Sequence, residues 1–161
     1  MRLTAFTDYS LRVLIYLAAQ PAQRATIAQI ATAFDISENH LVKVVHFLGK
    51  QGWLANVRGK GGGLALGEVP AKIVVGDVVR ATEGNPAVAE CFGETGGDCQ
   101  IAPDCRLRGV LGEAVAAFYA VLDRYTLEDL VNNRQQLARM LFFDRTGAEG
   151  KSRRAAPGTA P

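Results

Sequence analysis

The chain has 161 residues, 48% of them hydrophobic and 21% charged, which is the composition of a folded protein able to bury a core of its own. Its net charge of +2 is too small to define a partner. Its longest apolar run, VLIYLAA at 13–19, falls far short of the roughly 20 residues that a membrane span needs.

The charge is unevenly spread. Residues 1–66 carry seven Lys or Arg against three Asp or Glu; residues 67–150 carry eight against thirteen; residues 151–161 add three cations and no acid. The basic N-terminal part permits contact with a polyanion. The run at 13–19 also resembles the apolar segment of a secretion signal. Asp8 and Arg12 argue against that, because they interrupt the surrounding pattern, and Leu11, Leu14, Ile15 and Ala18 fall on one helical face. A first helix is expected from about Asp8 to Ala19, stopped at QPAQ.

Thr26 followed by Gln29 is a capping-box start, and Ile27, Ile30, Ala31 and Phe34 then repeat at helical spacing. After a break at DIS, Ser37 is placed to cap a third helix whose buried face is Leu41, Val44, Val45 and Leu48. Two short helices around a tight turn form a helix-turn-helix. The stretch WLANVRGKGGGLALG at 53–67 reads as strand, glycine-rich tip and strand, a wing directly after the recognition helix. Its glycines lack the G-x-x-x-x-G-K-[ST] pattern of a nucleotide loop. A further helix is expected over 73–84, ended at Gly84-Asn85-Pro86. A long amphipathic helix follows from Arg106 to Tyr125, with Leu107, Leu111, Ala114, Val115, Phe118, Val121 and Leu122 on one stripe. That stripe is broad for so small a domain and suits a dimer. Thr126 then opens a short helix, Leu127–Asn133, and the tail has almost nothing to bury.

In a helix-turn-helix the start of the second helix meets base edges in the major groove. Here those residues are Ser37, Glu38, Asn39 and His40. Asn suits adenine and Glu accepts from cytosine. Lys43 lies one turn on, within reach of phosphate. Arg58 and Lys60 sit among the wing glycines, where the backbone can approach DNA closely.

All three cysteines, Cys91, Cys99 and Cys105, fall in one stretch rich in Gly, Pro and Asp. Three thiolates in one loop can hold a metal ion or an iron–sulfur cluster. A structural zinc site usually shows paired C-x₂-C knuckles, which are missing. An odd cysteine count suits a secreted disulfide scaffold poorly, so a cytoplasmic protein with reduced thiols is expected. A cluster-free thiol/disulfide switch stays open. An electron-carrying enzyme does not fit, because no catalytic constellation accompanies the cysteines and His40 and His46 do not have the i, i+4 spacing of a helical metal pair.

In this order, MRLTAFTDYSLR, ISENHLVKVV, VRGKGGGLALG, VGDVVR and three clustered cysteines, the chain resembles the iron–sulfur winged-helix transcriptional regulators over about residues 1–143. The resemblance implies a dimeric repressor of double-stranded, palindromic operator DNA, not an enzyme. Operator binding would be gated by a [2Fe–2S] or [4Fe–4S] cluster that reacts with nitric oxide. One branch of the family senses cellular iron–sulfur status and takes its fourth ligand from a His three residues after the last cysteine. Here that position is Arg108, which cannot ligate iron. In the nitric-oxide-sensitive branch an acidic residue near the start of the first helix, from the other subunit, completes the site. The resemblance therefore implies Cys91, Cys99 and Cys105, with Asp8 of the partner subunit, as ligands. The expected fold is mainly α with a small β-hairpin. It would comprise a winged helix-turn-helix domain (1–84), a cysteine-containing cluster-binding loop (85–106), a dimerisation helix and C-terminal helix (107–145) and a disordered tail (146–161).

Overall fold

The structure is a computed structural model that describes residues 2–20, 23–59, 61–84, 88–92, 99–101 and 104–143. The tail therefore lies outside the described residues, as does Lys60. Helix α1 spans Ala5–Ala19. It starts three residues earlier than its apolar pattern suggests because the Thr4 hydroxyl accepts the Thr7 N–H at 3.2 Å, satisfying a donor that the helix leaves free. Helix α2, Ile27–Phe34, opens on the expected capping box: the Thr26 hydroxyl accepts from the Gln29 N–H (3.2 Å), and Gln29 Oε1 accepts from the Thr26 N–H (2.8 Å). Asp35 ends α2 in the left-handed region, at φ 55°. That conformation suits a short polar side chain and turns the chain into α3, Glu38–Lys50.

Strands β1 (Leu54–Val57) and β2 (Gly63–Leu66) pair antiparallel, with Leu54 opposite Leu66 and Val57 opposite Gly63. Ala25 adds a short third rung: its N–H donates to Leu64 O (3.1 Å), and the Leu64 N–H donates to Ala25 O (2.7 Å). Helix α4 is Val75–Glu83, and Gly84 (φ 69°) ends it. Helix α5 is Arg106–Leu122, three residues shorter than expected. Helices α6 (Leu127–Leu130) and α7 (Arg134–Ala138) follow, and a π-helical turn, Arg139–Phe143, extends the last.

The core lies around α1. Val13, Leu14, Leu17 and Ala18 pack with Ile30 of α2, Leu41, Val44, Val45 and Leu48 of α3, and Leu54 and Leu64 of the wing. Each fully buried Leu or Val contributes about 1.5–3 kcal/mol, so this cluster sets the direction of α3. The chain after α5 returns to the same core. The Leu127 N–H donates to Ile73 O (2.8 Å), the Val75 N–H donates to Tyr125 O (2.9 Å), and Leu127 and Val131 are buried with α1. Arg80 of α4 forks onto Asp123 at the end of α5 (2.7 and 2.5 Å) and stacks over the Tyr119 ring at 4.6 Å. The hydrogen-bonded guanidinium holds the Asp123 carboxyl below the usual range. Gly76 leaves room for this carboxylate, since a side chain there would strike Asp123 Oδ1. Helix α5 buries no residue of its own. Leu111, Val115, Phe118 and Leu122 of its stripe are half-buried, whereas Leu107 and Val121 are exposed, as is Val110 beside them.

Candidate functional site

The residues read as the base-contacting set share one exposed surface. With Leu41, Val44, Val45 and Leu48 turned inward, α3 leaves Ser37, Glu38, Asn39, His40 and Lys43 facing solvent. Ser37 occupies the N-cap position, but its side chain makes no capping hydrogen bond. This corrects the expectation of a side-chain cap. Its carbonyl instead accepts the His40 and Leu41 N–H groups (3.1 and 3.3 Å), so the hydroxyl makes no bond to its own helix. His40 lies beside Tyr9 of α1, with ring centroids 6.1 Å apart. Val42, on the same face, is 52% exposed. Sequence reasoning passed over it, although an apolar residue outside the 41/44/45/48 stripe was a legible signal.

The wing tip depends on glycine. Gly59 and Gly61 have φ 98° and 78°, values that side chains resist. The Gly62 N–H closes the turn onto Gly59 O (2.9 Å), and a side chain at Gly62 would strike Val57 O. Arg58 is exposed at this tip. Arg24, which the sequence did not single out, donates from Nη1 to Gly61 O (2.8 Å).

The cysteines occupy the connection between α4 and α5. Cys91 lies in a 3₁₀ turn, Glu90–Phe92, and the Phe92 ring lies 3.9 Å from where a Gly112 side chain would begin on α5. Cys105 is the N-cap residue of α5. All three thiols are half-buried and none is in a disulfide. Among the described residues no three His, Cys, Asp or Glu side chains lie close enough to hold a metal ion. A single chain therefore does not bring Asp8 and the three thiols together.

Asp8 is committed elsewhere within the chain. Its carboxylate meets Arg12, one turn on, at Nη2 (2.8 Å) and Nε (3.1 Å), and the Arg12 guanidinium lies 5.8 Å from the centre of the Phe34 ring. Thr4, Asp8, Tyr9, Arg12, Phe34 and Asp35 line a surface cleft between the start of α1 and the turn of the helix-turn-helix. Nearby, Glu83 at the end of α4 binds the start of α1. It accepts from the Thr4 N–H (2.7 Å), the Thr4 hydroxyl (3.1 Å) and the Thr7 hydroxyl. Burial pushes the Glu83 carboxyl up, but these hydrogen bonds outweigh it and hold the group below its usual range. The root of the cysteine connection is thus tied to the helix that carries Asp8.

The Rrf2 family profile, described as an iron-dependent transcriptional regulator, matches residues 3–133. The HTH-type transcriptional regulator NsrR of Bacillus subtilis is 49% identical over 142 residues, spanning 88% of this chain and 97% of the relative. NsrR of Geobacillus kaustophilus is also 49% identical, over 148 residues, spanning 91% of this chain and all of the relative. Among solved structures, CymR of B. subtilis, the global cysteine regulator, is 30% identical. It superposes with a TM-score of 0.64 over 83% of this chain and 98% of that one. IscR of T. potens has a TM-score of 0.67 at 24% identity, over 85% of this chain and 90% of that one, a likeness of fold. These relatives are regulators and not enzymes, and among the described residues no helix is long and apolar enough to cross a membrane. With its winged helix-turn-helix and its match over most of the chain, this protein belongs to the Rrf2 family of transcriptional regulators and is of the NsrR type.

Proposed function

We propose that the chain is a cytoplasmic, homodimeric repressor whose binding to a palindromic operator is gated by an iron–sulfur cluster that reacts with nitric oxide. The observation that carries this reading is the placement of the cysteines. The chain's whole complement of thiols lies between the winged domain and a helix with an exposed apolar face. On DNA, Ser37, Glu38, Asn39 and His40 meet base edges, Val42 offers the kind of apolar group that meets a thymine methyl, and Lys43, Arg58 and Lys60 meet phosphates. Leu107 and Val110, 62% and 61% exposed, pack against the same helix of a second copy. Two recognition helices then face successive half-sites.

The donor set fits a cluster of either nuclearity. Cys91, Cys99 and Cys105 are unpaired thiols, and Cys105 stands at the N-cap of α5. When bound, a cluster supplies iron, and a hard carboxylate ligand leaves one iron comparatively open to a diatomic molecule. The rest is done by the chain. Asp8 of the partner subunit would complete the ligand set by giving up at least part of its contact with Arg12. Tyr9 and Arg12, on either side of that exchange, touch His40 and Phe34. The state of Asp8 therefore bears on the end of α2 through Arg12 and Phe34, its neighbour Tyr9 lies beside His40 of α3, and the cysteine connection bears on α1 through Glu83.

The test is anaerobic purification of the wild type and of Cys91→Ala, Cys99→Ala, Cys105→Ala and Asp8→Ala, with iron, sulfide and visible absorbance measured on each. The reading expects a brown, iron- and sulfide-bearing wild type and colourless cysteine variants. A colourless, iron-free wild type that binds DNA in a thiol-dependent way makes the three cysteines a disulfide switch instead.

A further inference from the structure

Arg24 stands just ahead of α2, 37 residues in sequence from the wing tip that it touches. Its Nη1 donates to Gly61 O at 2.8 Å. The next residue, Ala25, exchanges both backbone hydrogen bonds with Leu64 (3.1 and 2.7 Å). Gly63 (φ 149°) lies so close that a side chain there would sit 2.9 Å from Ala25 O and 3.3 Å from Arg24 Cβ. A glycine-rich tip has little rigidity of its own, and a two-stranded hairpin is marginal without a further partner. These three observations supply that partner from outside the hairpin, and among the described residues of the tip Arg58 is an exposed cation.

We infer that Arg24 is a positioning residue for the wing. Its hydrogen bond to Gly61 braces the tip against the 24–25 segment and so aims Arg58 at the DNA backbone. The inference rests on the reading of the wing as a DNA contact given above. It assigns to Arg24 a role distinct from that of one more cation near DNA. A cation acting only by charge adds its effect to that of Arg58. A brace acts through Arg58 and loses its effect once Arg58 is gone.

The experiment is a double-mutant cycle with the full chain, using a duplex that the wild type itself selects from a random-sequence pool. Arg24→Ala is expected to weaken binding about 3- to 10-fold, the scale of one ordinary solvent-exposed hydrogen bond lost. In an Arg58→Ala background the same change is expected to cost less than about 2-fold, since residues acting through one another are not additive. Arg24→Lys, which keeps a donor and the charge, is expected to restore most of the loss. Without DNA, Arg24→Ala is expected to speed amide exchange at Gly62 and Leu64 while leaving the helix α1 amides unchanged. Additive losses in the cycle, or unaltered exchange at the wing, overturn the inference. If the wild type selects no duplex, the DNA reading of the wing fails instead. The exchange measurement then still reports whether Arg24 braces the tip.

Discussion

Asp8 and Arg12 hold each other at two points, Oδ2 to Nη2 at 2.8 Å and Oδ1 to Nε at 3.1 Å, one helical turn apart on α1. Both side chains keep over 40% of their surface exposed, so the pair contributes only about 0.2–1 kcal/mol. Such a bond is easily exchanged for a better one. Arg12→Ala is therefore expected to leave the melting temperature of the metal-free protein nearly unchanged. In the anaerobically isolated protein it is expected to alter cluster retention, because the competing partner of Asp8 is gone. A large fall in the metal-free melting temperature contradicts the exchange.

Glu83 ties the end of α4 to Thr4 and Thr7, and its carboxyl is held below the usual range. A lowered folded-state value means that the stabilisation is complete above the unfolded value, about 4.3, and is lost as pH falls through the folded one. Glu83→Gln is expected to cost on the order of 1 kcal/mol at pH 7. The gap from the wild type is expected to close as the medium is made more acid than about pH 4. Urea denaturation at a series of pH values measures both.

Gly76 and Asp123 make a prediction of sign. In the wild type a methyl group at Gly76 displaces the carboxylate held by Arg80, and Gly76→Ala is expected to destabilise by about 1 kcal/mol, the low end of overpacking. In an Asp123→Ala background the obstacle is gone. The same change is then expected to stabilise by up to about 0.5–1 kcal/mol, because Ala is the better helix former. Thermal melting of the four proteins decides it. A loss of equal size in both backgrounds contradicts the contact.

The exposed residues of α5 predict the assembly. A Leu107→Glu/Val110→Glu variant is expected to sediment as a monomer with unchanged helix content, since neither side chain is buried within the chain. A dimer that survives these two charges places the interface elsewhere.

Much of the fold was legible from local chemistry. The Thr26/Gln29 box, the 41/44/45/48 stripe and the glycine tip each announce an element within a few residues. What was not legible depends on distant partners. The early start of α1 is completed by Glu83, 79 residues away from Thr4. The return of Leu127 and Val131 to the first core goes through a bridge between Val74 and Thr126. Helix α7 was missed because NNRQQ carries no apolar period to mark its start. At the site, the exposed face of α3 followed from its buried stripe, whereas the Arg24–Gly61 bond and the Asp8–Arg12 pair are side-chain choices that spacing does not determine.

The central claim is that an intact cluster and a DNA-competent dimer go together. The most direct measurement is an anaerobic titration of the purified protein with nitric oxide. Visible absorbance and binding to a selected palindromic duplex are followed in the same samples. The account predicts that the brown chromophore bleaches and DNA binding falls in step, over the same equivalents of nitric oxide. Bleaching with DNA binding retained contradicts it.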